Sequence, residues 1–205
     1  MAGFKPIPTT PDVANIQRIA LKIFLDDHSV LDPRQVVPVF HRWIQMKAVE
    51  GLLIDVADYS HMATGPSVLL VAHEGHYVLD RAGGRLGLQY ARRTPLDGPL
   101  PDRLVSLGRT LFRAGRLLEK DASLSGPVRF RGNEIECIVN DRLHAPNLAE
   151  TFTAFRPAFD NFLATLSPGT SWDLTREPDP QGRFGVLAHA PRTESVAMAT
   201  GLLDQ

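Results

Sequence analysis

Ionisable side chains gather most densely between residues 55 and 76, where Asp55, Asp58, Tyr59, His61, His73, Glu74 and His76 fall close together in the chain. Carboxylate and imidazole groups that converge can work as an acid/base pair, or can bind a divalent cation such as Zn²⁺, Fe²⁺ or Mn²⁺. If the flanking segments pair as strands, Asp58 and His73 meet across adjacent strand ends and His61 closes over them from the loop. The catalytic candidates are therefore Asp58, His61, His73 and His76, and the metal-ligating candidates are His61, His73 and His76. His73-Glu74-Gly75-His76 lacks the i, i+4 spacing that sets two histidines on one helix face, so zinc-protease chemistry of the HExxH kind does not apply. Against these readings stands a plainer one, in which the polar residues serve solubility at sheet ends and His73 makes a structural hydrogen bond.

A second group is basic. Arg109, Arg113, Arg116 and Lys120 recur at helical spacing and form the one organised basic stripe in the chain. Such a stripe either solvates an outer helix face or meets an acidic protein surface. Arg142, between Asp141 and His144, either forms a salt bridge that positions its loop or clamps an anionic ligand bidentately. Tyr59, with Trp43 and Trp172, can line an apolar pocket, although aromatic residues at helix and strand positions fill cores first. The binding candidates are thus Tyr59, Arg109, Arg113, Arg116 and Arg142.

Composition narrows the classes. The 205 residues carry 22 basic and 23 acidic side chains, a net charge of -1 that offers no global attraction for a phosphate backbone. The basic stripe also lacks interleaved exposed aromatics, so a nucleic-acid partner is not expected. Cys137 is the single cysteine, which excludes an internal disulfide and any CxxC motif. It alternates with Ile135 and Val139, the pattern of a buried thiol serving as a small hydrophobe. No GxGxxG or Walker-A spacing occurs. No apolar run approaches membrane-spanning length and the N-terminus has no signal-like apolar stretch, so a cytoplasmic protein is the expectation by default.

These side chains must be carried by elements, and the periodicity supplies them. Pro6, Pro8 and Pro11 mark residues 1–12 as an extended lead-in. A first strand runs near 16–24, with Ile19, Leu21 and Ile23 at period two. Asp32-Pro33 offers an N-cap and a first-turn proline for a helix that reaches Gly51, although Pro38 requires either a kink or a start near Val37. Strands follow at 52–59 and 67–72, with a further hairpin from 77–80 and 86–90 whose register is open. An amphipathic helix spans 102–120. Gly132-Asn133 reads as a two-residue turn that folds 127–139 into a hairpin, with Phe130 opposite Ile135 and Val128 opposite Cys137. Asn147 and Glu150 have the spacing of a capping box for a helix with Leu148, Phe152, Phe155, Phe159, Phe162 and Leu166 on one stripe, which reads as core. Two strands near 170–175 and 183–188 close the pattern, and the last fifteen residues show no clear period.

An internal repeat emerges from this order. Phe40 and Ile44 correspond to Phe155 and Phe159 at one constant separation, and VLLVAH (68–73) corresponds to FGVLAH (184–189) at one residue more. The expected fold is α+β, a mainly antiparallel sheet with helices on one face. It is read as two βαββ halves forming a pseudo-duplicated compact unit that resembles ferredoxin-like topology. The boundaries are an extended segment 1–12, a first half 13–94 with an extra hairpin, a linker and central helix 95–126, a second half 127–190, and a C-terminal segment 191–205. The function expected is a non-catalytic ligand-binding or protein-interaction module, with a second copy of the chain, a small ligand or an acidic protein surface as partner and no membrane. The alternative is a small metal-assisted enzyme using the His/Asp cluster and a divalent metal.

Overall fold

A computed structural model describes residues 11–191 and 196–203. The extended lead-in therefore lies outside the described residues except for Pro11 and Asp12. Eight strands form one antiparallel sheet: β1 (Ile19–Leu25), β2 (Leu53–Asp58), β3 (Pro66–Ala72), β4 (Gly75–Asp80), β5 (Gly87–Arg92), β6 (Phe130–Val139), β7 (Asp173–Arg176) and β8 (Phe184–His189). Their order across the sheet is β2-β3-β4-β5-β1-β6-β8-β7. Helices α1 (Val36–Met46), α2 (Leu100–Glu119), α3 (Ala149–Leu166) and α4 (Val196–Leu203) complete the described residues. The fold is α+β, and no described helix is long and apolar enough to cross a membrane.

Strand alternation explains why the helices sit on one face. Leu70, Tyr77, Tyr90, Leu21, Cys137 and Val186 lie in one row by strand register, and Val68, Leu79, Leu88, Ile23, Ile135 and Ala188 in the next. All of them belong to a single apolar cluster with Phe40, Trp43, Leu107, Leu111, Phe155, Phe159 and Phe162 from the helices. Burial pushes the Cys137 thiol well above its ordinary range, so it is an inert part of this core. The phenylalanine stripe of α3 is core from Phe155 to Leu166, while Leu148 at its start is exposed. α2 packs in the middle of the layer. Gly108 lets Phe162 approach so closely that a Cβ there would fall 2.5 Å from the ring.

The helix 33–46 begins as a 3-10 turn at Pro33–Gln35, with the Asp32 carboxylate accepting from Arg34 N at 3.0 Å. α1 proper starts at Val36, so Pro38 stands in its first turn, where no intrahelical donor is needed, and the helix runs on past it.

Two sequence expectations are corrected. Gly132-Asn133 is not a hairpin turn but part of one ten-residue strand, β6. Both residues are buried, and the register with β1 shifts between Ile23 and Leu25, so the Gly-Asn irregularity is absorbed as a bulge. β6 lies between β1 and β8, and Asn133 is tied to the chain beyond β8: its backbone oxygen accepts from Ala190 N at 2.9 Å and its Nδ2 donates to Ala190 O at 2.8 Å. Asn147 does not cap α3. The N-cap is Leu148, and the buried Asn147 amide donates to the carbonyls of Glu177 and Asp179 while its oxygen accepts from Arg176 at 2.8 Å. The VLLVAH and FGVLAH segments form β3 and β8, each second from an edge of the sheet, β3 between β2 and β4 and β8 between β6 and β7. Finally, residues 196–203 form α4 although the sequence there shows no clear period; its contact with α2 supplies the support.

Candidate functional site, an anion cleft at the strand ends

The predicted His/Asp group divides between opposite ends of the β2–β3 ladder. Asp58 pairs with Val68, whereas His73 lies five residues further along the same chain, about 16 Å away at strand rise. At the first end, Asp58 Oδ1 accepts from Ser60 N at 2.8 Å and shapes the turn; its hydrogen bonds to Ser60 hold its pKa below the ordinary value. His61 lines a separate hollow with Asp32, Arg34, Ser60 and Arg81. His61 therefore does not join His73 and His76. Among the described residues no group of three or more His, Cys, Asp or Glu side chains is placed to hold a metal ion.

The basic stripe is largely engaged within the molecule. Arg109 donates through Nε and Nη2 to the Leu203 carbonyl at 2.9 and 2.6 Å, tying the end of α4 to α2. Arg113 bridges to Glu50 at 2.8 Å. The Arg116 Nε is buried. Arg142 donates to Gln181 O at 2.6 Å and joins two loops, while His144 Nδ1 contacts Asp141 at 2.9 Å. Tyr59 is exposed, and its backbone closes the β2–β3 turn by donating to Ser67 O.

His73 and His76 meet different company. At the other end of the sheet, the start of β1, the turn between β3 and β4, and the ends of β5 and β6 surround a cleft of about 510 Å³. It is lined by Arg18, His73, His76, Ala91, Arg92, Arg93, Thr94 and Asn140. Register explains the assembly: His76 pairs with Ala91 and Ala91 with Ala20, while Asn140 N donates to Arg18 O at 2.7 Å. These positions lie on the face opposite the helices, because Ala20 and Ala91 alternate with the core residues Leu21 and Tyr90.

The cleft is built almost entirely of donors. Arg92 is oriented by Nε donating to Thr94 O at 2.9 Å and by a 3.4 Å contact of Nη1 with the Tyr90 hydroxyl. His76 Nδ1 accepts from Ala72 N at 3.4 Å. Burial, and then the Arg93 charge, hold His76 below the usual imidazole pKa, so at neutral pH its ring is uncharged and carries its hydrogen on Nε2. Glu74, between the two histidines in sequence, turns away: its carboxylate accepts from Leu52 N at 2.8 Å. Among the described residues no carboxylate lines the cleft. Arg18, Arg92, Arg93 and Asn140 were not among the sequence candidates; the adjacent Arg92-Arg93 pair closing a strand was the available signal, but only sheet register brings Arg18 and Asn140 beside it.

Near the middle of the same helix-free face lies a second charged group. Lys22 is 1% exposed and spends its ammonium protons on Asp80 at 2.7 Å, Arg85 O at 3.0 Å and Ala82 O at 3.4 Å. Glu136 stands opposite Lys22 across the β1–β6 ladder, yet its carboxylate makes no hydrogen bond to a described residue. Burial raises the Glu136 pKa, with Lys22 opposing and Asp80 and Glu177 adding to the rise. A carboxyl whose folded pKa exceeds its unfolded one contributes stability that is complete below the unfolded pKa and is lost as pH rises through the folded value. Glu136→Gln is therefore expected to raise the urea midpoint at pH 7 and to leave it nearly unchanged near pH 4. A lower midpoint at pH 7 would show the charged form to be favoured instead.

The sequence matches no protein-family model and no curated protein.

Proposed function

We propose that this protein is a non-catalytic binding module that takes up a small anionic ligand in the strand-end cleft. One observation carries the reading: three arginines and two histidines line one ligand-sized space, with no carboxylate among its described lining residues. Melting curves of the full chain in sodium citrate and in sodium chloride at matched ionic strength test it. A ligand that binds only the folded state stabilises it by about 2.7 kcal/mol at one hundred times its Kd. Citrate should therefore raise Tm in the parent and much less in Arg93→Gln, whose exposed side chain bears little on folding. Equal responses in parent and variant overturn the reading, because general salt effects act on both alike.

A second reading is favoured by His73 and His76 lining the same cleft. Here an imidazole serves as general acid or base toward the bound anion. It requires turnover that His76→Ala abolishes while anion binding persists.

Two further proposals concern assembly and ancestry. The exposed apolar residues Met46, Leu52, Ile54, Tyr59 and Met62 cluster in sequence around the edge strand β2, which supports self-association into a homodimer; a monomer by light scattering removes it. β1 and β6 are adjacent in the sheet, and each is followed by a helix and an antiparallel run whose last strand returns beside it. This order supports two unequal ferredoxin-like copies, an idea that fails if the two units do not superpose.

A further inference from the structure

Building on the anion-binding reading, we infer that the group held in the cleft is the phosphoryl group of a small polar phosphomonoester, in preference to a carboxylate. The inference rests on the supply of donors. Arg18 and Arg93 are exposed, and their side chains make no hydrogen bond to a described residue. Arg92, held by Thr94 and Tyr90 through Nε and Nη1, adds a third fixed positive charge at the cleft's edge. Asn140 Oδ1 accepts from Arg183 Nη1 at 2.8 Å, while its amide N–H groups have no protein acceptor among the described residues and can serve a ligand. His76, accepting at Nδ1, adds its Nε2 hydrogen.

A carboxylate brings one charge and two oxygens, too few for three permanent cations and two neutral donors. A phosphomonoester brings between about 1.5 and 2 negative charges at neutral pH and three terminal oxygens. Guanidinium forks match those oxygens in pairs, which a point-charge cation cannot do. The cleft of about 510 Å³ leaves space beyond the phosphoryl group for an organic remainder. Its described lining has no Phe, Tyr or Trp side chain, only Ala91 and Thr94 beside the arginines, histidines and Asn140, so it offers no large apolar ring for a nucleobase to stack on. The remainder that fits is small and polar.

Calorimetric titration of the full chain with glycerol 3-phosphate and with succinate, at pH 7.5 and constant ionic strength, separates phosphoryl recognition from simple charge. Glycerol 3-phosphate is expected to bind at least tenfold more tightly than succinate. Arg18→Gln and Arg93→Gln should each weaken it tenfold or more, Arg93→Lys should fall between parent and Arg93→Gln, and Arg156→Gln on α3 should match the parent. Succinate binding as tightly as glycerol 3-phosphate overturns the phosphoryl preference and leaves the anion-binding reading standing. Failure of both ligands to bind at millimolar concentration overturns the two together. Tight phosphate-ester binding that Arg18→Gln and Arg93→Gln leave intact places the site elsewhere and overturns this one.

Discussion

Asp80→Ala is expected to lower the unfolding free energy by roughly 3–5 kcal/mol, the cost of leaving one member of a buried ion pair without its partner. The Lys22 ammonium is almost wholly out of water, and among the described residues Asp80 is its only carboxylate within hydrogen-bonding distance. Asp80 also accepts from Ala82 N at 3.0 Å, holding the turn whose carbonyls take the remaining Lys22 protons. Loss of Asp80 thus loosens the turn as well as the pair. The Phe24 ring, 5.1 Å from the ammonium and 3.9 Å from the Arg85 guanidinium, cannot replace a carboxylate. The double replacement Lys22→Met with Asp80→Leu should recover most of the loss, because two apolar side chains need no pairing. Urea unfolding of the two proteins decides the matter. A double variant no more stable than Asp80→Ala would mean that the pair itself, rather than its desolvation, supports this region.

The second large effect belongs to α3. Phe159 is fully buried between Phe155, at a ring distance of 5.5 Å, and Phe162, at 5.9 Å. Phe159→Ala should destabilise by roughly 3–5 kcal/mol, through the lost transfer energy of the ring and the cavity left in a layer that cannot collapse onto it. Leu148→Ala, at the exposed start of the same stripe, should stay within about 0.5 kcal/mol of the parent. Comparable urea midpoints for the two variants would mean that the phenylalanine stripe is not the core of the helical layer.

Several polar features resist such ranking by type alone. Arg109 and Arg113 share a helix stripe, yet one supports the end of α4 and the other a salt bridge to Glu50. Arg18 and Arg93, far apart in sequence, end up beside the same cleft. Their roles follow from where neighbouring elements terminate, which helical or strand period does not encode.

What the sequence determines by itself is local. Period-two residues Ile19, Leu21 and Ile23, the helical spacing of Phe155, Phe159 and Phe162, and the Asp32-Pro33 start all lie where the structure has a strand, a helix and a turn. Apolar periodicity reports which side of an element must leave water, and capping chemistry involves groups only a few residues apart. The tertiary structure decides what depends on partners far along the chain. Gly132-Asn133 satisfies the local chemistry of a turn, but pairing with β1 and β8 makes it a bulge in a continuous strand. Lys22 alternates away from the helices, as its position among Ile19, Leu21 and Ile23 implies, yet the turn at 82–85 buries it. His61 and His73 are neighbours in sequence, but a strand carries them to opposite ends of the sheet. Arg18, Arg92 and Asn140, far apart in sequence, close on one cleft because antiparallel pairing brings their strand ends together.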